Sequence, residues 1–124
     1  WEDYQKAISN LFEAEEIYLK LDEKYGLSLV YNQICKTQRL AKKYDLALKY
    51  GELANTMAIQ INSEALLAES YLQLSESHET LGNFENSLVT FKTYKKFNTE
   101  LISWENNKKL LNLENHAKII AQEN

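Results

Sequence analysis

A shift of 40 residues lays this chain over itself. Trp1 to Ala7 falls on Ala41 to Ala47, and that stretch falls on Leu81 to Ser87. Each time an aromatic residue is followed three places later by a small one: Tyr4 and Ala7, Tyr44 and Ala47, Phe84 and Ser87. The register continues through Leu11, Gly51 and Phe91, then Ala14, Ala54 and Tyr94. Ahead of the second and third of these stretches lies another matching run. Leu27, Tyr31, Ile34, Cys35, Gln38 and Ala41 fall on Leu67, Tyr71, Leu74, Ser75, His78 and Leu81. Steps of three and four residues put these positions on one face of a helix. A period of this length marks stacked units, none of which can bury its apolar face alone.

The composition agrees with helices joined by short turns. There is no proline, and Gly26, Gly51 and Gly82 are the three glycines; these two residue types are the ones helices tolerate least. The repeat therefore predicts paired helices at about 2–20, 25–41, 44–59, 64–81 and 84–98, with boundaries uncertain by roughly two to four residues. Leu81-Gly82-Asn83 reads as a helix stop. Asn62-Ser63-Glu64 supplies cap-type residues ahead of the next helix. The small residues Ala7, Ala47 and Ser87 mark close approach between helices, so Ala47→Leu is expected to overpack the pair at a cost of roughly 1–3 kcal/mol.

Residues 99–102 interrupt the register, and Ser103 can cap a new helix. Leu101, Trp104 and Leu111 would form its inner face, covering the last helix pair. Further along, Leu110, Leu113, Ala117 and Ile120 recur at 3-4-3 spacing, the beginning of a coiled-coil seam and a candidate self-association surface that would make a homodimer. The expected organisation is thus a repeat region over 1–98 and a cap or coiled-coil-seed helix over 99–124.

Several functions are disfavoured. The net charge of −4 gives no broad basic face for nucleic acid. No apolar run approaches the roughly 20 residues that span a bilayer, so no membrane insertion is expected from this segment. Cys35 is the single cysteine, which excludes an intrachain disulfide and, by its match to Ser75, reads as a small packing residue. His78 and His116 lack partners at metal-ligand spacing, so no metal site is expected. Glycine-rich phosphate loops and nucleophile elbows are absent, and no cofactor is expected. The acidic groups Glu13-Glu15-Glu16 and Glu76-Glu79 sit at helical-surface spacing and read as solvated faces. Catalytic residues: none. The opening residue, Trp1 rather than Met, suggests a piece of a longer protein.

The pattern Tyr71-x2-Leu74-Ser75-x2-His78, then Gly82-x-Phe84-x2-Ser87-x3-Phe91-x2-Tyr94, resembles the tetratricopeptide repeat (TPR). In the preceding unit the carrying residues are Tyr31, Ile34, Cys35, Tyr44, Ala47 and Ala54. The period of 40 exceeds the family's usual 34, the closing proline is missing, and Lys42 stands where Gly82 would predict glycine. HEAT-like helix pairs are the alternative at this period. The resemblance implies an all-α, antiparallel helix-hairpin, TPR-like right-handed solenoid with a C-terminal capping or connector helix. It implies a concave groove for an extended or helical peptide, lined by Leu29, Asn32, Gln33, Lys36 and Arg39 on one wall and Glu69, Leu72, Gln73, Glu76 and Glu79 on the next. The bland counterpart is that Lys36 and Arg39 pair with Glu76 and Glu79. The acidic second wall disfavours a carboxylate clamp. The segment from Tyr94 to Glu114 resembles the junction of bacterial repeat-containing sensors. That implies a non-catalytic regulatory or sensory module of a larger signal-transduction protein in the cytoplasm, or a periplasmic sensor region. A stand-alone adaptor or scaffold is the alternative.

Overall fold

In a computed structural model, described here for residues 2–123, the chain is all-helical. Five helices pack in chain order: α1 (Glu2–Lys20), α2 (Lys24–Leu40), α3 (Tyr44–Ile61), α4 (Glu64–Thr80) and α5 (Phe84–Glu123). The register match at Trp1 lies outside the described residues.

The four turns are built alike. Asp22, Lys42, Asn62 and Gly82, twenty residues apart, all have positive φ. At each, the residue after the left-handed one returns its N–H five residues back: Glu23 to Tyr18 O, Lys43 to Gln38 O, Ser63 to Ala58 O and Asn83 to His78 O. The left-handed residue itself bonds three back, as Lys42 does to Arg39 O at 3.0 Å. This is the Schellman closure, which satisfies the last carbonyls of a helix. Lys42, where glycine was expected, adopts the same conformation at φ 64°. The next helix starts at once. The Glu23 carboxylate accepts from the N–H groups of Tyr25 and Gly26, and the Ser63 hydroxyl accepts from Leu66 N, filling donors that a helix start leaves open.

These turns stack α2 on α3 and α4 on the first half of α5, and α2 also lies against α4. The buried stripe of α3 is Ala47, Gly51, Ala54 and Ala58, small residues only, so α3 sits close to both α2 and α4. A Cβ on Gly51 would lie 3.2 Å from Cys35 Sγ and 3.3 Å from Leu74 Cδ2. Ser28 Oγ donates to Ala54 O at 3.1 Å, and Asn55 Nδ2 donates to Ser70 Oγ at 3.0 Å. One apolar cluster, Leu27, Val30, Tyr31, Ile34 and Ala54, is closed by side chains of α1 and by Tyr50. A second, Ala58, Leu66 and Leu67, is closed by Tyr71 and Phe97, whose rings stack at 5.9 Å.

The expected interruption at 99–102 is not formed. α5 runs unbroken for 40 residues. Ile102 stands twenty residues after Gly82, where a fifth left-handed residue would fall, and a β-branched side chain is a genuine outlier at positive φ. The capping signal of Ser103 is therefore overridden, and the helix continues. Nor do Trp104 and Leu111 cover the last pair: they are 62% and 56% exposed, and beyond Leu101 every described side chain is exposed. The distal half of α5 projects from the body for roughly 30 Å at about 1.5 Å per residue.

Candidate interaction surface

The two expected groove walls lie on α2 and α4, which pack side by side, and the structure divides their residues into three kinds. Leu29, Gln33 and Lys36 on α2, with Glu69 and Glu79 on α4, are exposed. Leu72 and Glu76 are half-buried, while Asn32 and Gln73 are buried.

Arg39 belongs to the scaffold. Its Nη2 donates to Gln73 Oε1 at 2.8 Å and to Glu76 Oε2 at 2.7 Å. Its Nη1 donates to Ser77 Oγ at 3.3 Å and lies 3.8 Å from Cys35 Sγ. Gln73 then donates from Nε2 to Glu69 Oε1 at 2.9 Å. The Arg39 side chain is only 11% exposed while that of Glu76 is 46% exposed, so the guanidinium is held between the helices by several acceptors and is not a freely solvated surface charge. The simple pairing across adjacent helices is thus formed for Arg39 with Glu76, whereas among the described residues no ion pair involves Lys36 or Glu79. Arg39 is unavailable for a ligand without loosening α2 from α4.

Asn32 presents the opposite situation. It is 2% exposed, and neither Oδ1 nor Nδ2 has a hydrogen-bond partner among the described residues. Its match in the next unit is Leu72. A buried amide in this condition carries a desolvation penalty of about 1–3 kcal/mol. His78, half-buried, likewise has an unpartnered Nδ1. His116 is exposed.

Glu15 departs from the solvated-face reading given to its cluster. It is half-buried beside Tyr31 and Tyr50, whose rings lie 5.9 Å apart. Burial, then the neighbouring Glu15 carboxylate, pushes the Tyr31 and Tyr50 hydroxyls above their ordinary range. Burial also raises the Cys35 thiol, an effect partly opposed by Ser77 and Arg39. A fully buried, protonated thiol suits packing and not nucleophilic attack. Among the described residues, no three His, Cys, Asp or Glu side chains gather in a way that could hold a metal ion, and no helix is long and apolar enough to cross a membrane.

Two further hollows are present, the second lined in part by the wall residue Glu79. One, of about 410 Å³, is framed by Tyr4, Ile8, Phe12 and Glu16 of α1 with Gln38 and Ala41 at the end of α2. The other, of about 310 Å³, opens between α4 and the start of α5. The seam residues Leu110, Leu113, Ala117 and Ile120 stand exposed on the distal half of α5. Comparison with family models, curated proteins and solved structures gives no match.

Proposed function

We propose that this chain is a non-catalytic protein–protein interaction module built from TPR-like repeats, acting as the regulatory region of a larger bacterial signal-transduction protein. The observation that supports it most is the translation of one helix pair onto the next. The αL turns recur every twenty residues, α2 lies directly on α4, and α1 and α3 stay further apart. Such an arrangement gathers first helices on one face and second helices on the other. The first-helix face then offers Leu29, Gln33, Lys36 and Glu69 to solvent over a rigid base made by Arg39, Gln73 and Glu76.

The ligand suited to this face is a peptide carrying both charges, extended or helical, with an acidic group for Lys36 and a basic group for Glu69. Binding would bias an output by differing in affinity for two states of the larger protein. No nucleic-acid or cofactor role is proposed, because nothing in the residues supports one.

The test is a peptide selected from a random library against the intact chain, with affinity measured by calorimetry. Lys36→Glu and Glu69→Lys should each weaken it by about tenfold, the loss of one charge-assisted contact of about 1.4 kcal/mol. Arg39 is left alone because its replacement would disturb the fold. Selected binders whose affinity ignores both substitutions would overturn the assignment of this face.

A further inference from the structure

Helices α2 and α4 meet through polar groups. Cys35 Sγ lies 3.3 Å from Ser77 Oγ, and Arg39 reaches Ser77, Gln73 and Glu76. The apolar clusters lie elsewhere. One gathers α1, α2 and α3 around Leu27, Val30 and Ile34. The other gathers α3, α4 and α5 around Ala58, Leu66 and Leu67. Neither contains residues of both α2 and α4. Ser28, Asn32, Cys35 and Arg39 step by four, three and four along one stripe of α2. On that stripe Asn32 is buried with its amide unpartnered among the described residues. Water satisfies groups of this kind as well as a protein neighbour does, so keeping water out of such a joint gains little.

Along α4 the two kinds of contact are separated. Its first half sets Leu66 and Leu67 against Ala58 and Ile61 at the end of α3. Its second half sets Gln73, Glu76 and Ser77 against α2. There Leu74 lies over Gly51, which has no side chain to hold it. Meanwhile α4 is tied to α5. The Ser75 hydroxyl donates to Ser87 O at 2.9 Å, and the Ser87 hydroxyl donates to Ser75 O at 2.8 Å.

We propose that the α2–α4 joint opens while the chain stays folded. The α4–α5 hairpin swings as one body about the α3–α4 turn at Asn62. Its far end leaves α2, while Leu66 and Leu67 stay seated on α3. Arg39 and Asn32 then take their hydrogen bonds from water, and Cys35 comes into solvent. The open form is a minor state of the folded chain, reached by sub-global opening. It supplies the second state that a ligand spanning α2 and α4 would discriminate. That consequence rests on the function proposed above, whereas the opening does not.

Cys35 is the single cysteine and is 0% exposed, so its reaction with a small aromatic disulfide reads the opening. The rate in the folded 124-residue chain, divided by the rate in the urea-unfolded chain, gives the fraction open. That fraction should exceed the unfolded fraction from urea denaturation at least tenfold. It should change little in dilute urea, because the opening uncovers little surface. Glu76→Ala should raise the folded-chain rate about tenfold. Val30→Ala, in the cluster away from the joint, should raise the unfolded fraction and leave the rate unchanged. Should Val30→Ala not fold, Ile8→Ala at the edge of the same cluster makes the same comparison. A fraction open that equals the unfolded fraction and rises with it in these cluster variants overturns the proposal, since Cys35 is then reached only by global unfolding. So does a rate indifferent to Glu76→Ala.

Discussion

Lys42 holds a backbone conformation that costs a side-chain-bearing residue about 1–2 kcal/mol, because the Schellman closure at Arg39 and Gln38 requires it. Gly82 does the same work without that cost, and a Cβ there would meet nothing within 4 Å. Lys42→Gly should therefore stabilise the chain by about 0.5–1 kcal/mol, after allowing for the greater freedom of glycine in the unfolded state. Urea denaturation would show it as a higher midpoint with an unchanged slope. Asn32 gives a second case. Its amide is buried with no partner among the described residues, so Asn32→Leu removes a desolvation penalty and should be neutral to stabilising by about 1 kcal/mol. A loss of stability would show that the amide is satisfied by an ordered water. The glycine at 82 is a turn signal in any sequence. The lysine at 42 and the aspartate at 22 are not, because their conformation is imposed by the stacking of the helices on either side. The resemblance to the tetratricopeptide repeat implies Asn32 on the α2 wall, but it carries no sign that the side chain is buried.

At the scale of the element, α3 and α5 behave differently for reasons their residues state. The stripe Ala47, Gly51, Ala54 and Ala58 lets α3 lie between two neighbours, so Ala54→Leu should overpack it by roughly 1–3 kcal/mol, measured by thermal or urea unfolding. The recurrence of small residues made this close approach readable before any coordinates. The course of α5 was less readable. Ser103 is a good cap, and the fading of the repeat near 99–102 reads locally as a stop. Whether the helix ends there depends on whether Ile102 can take a positive φ, and in the structure it does not. Ile102→Gly lifts that bar. The helical Cα chemical shifts of residues 101–103 should then fall toward turn values, while those of α4 stay as they are. An unbroken helix in this variant would mean that Ile102 is not what holds α5 straight.

For the whole molecule, the pairing of α2–α3 with α4–α5 sets both stability and shape. The apolar cluster between α1, α2 and α3 contains Tyr31 and Tyr50, with hydroxyls raised above the ordinary 10.0 by burial and then by Glu15. The folded state therefore keeps protons that the unfolded chain has already released. Stability should be constant through neutral pH and fall as pH rises above about 10, since the unfolded state then binds fewer protons. Tyr31→Phe should flatten that decline. The repeat itself is most directly tested by distances. In a Cys35→Ser background, spin labels at Leu29 and Glu52, both exposed, span the first helix pair. Labels at Glu69 and Lys92, also exposed, span the second at the matched positions. With labelled chains diluted into unlabelled ones, pulsed electron resonance should give coincident distance distributions for the two pairs. Distributions with separate means would contradict the claim that one helix hairpin, repeated every forty residues, builds this molecule.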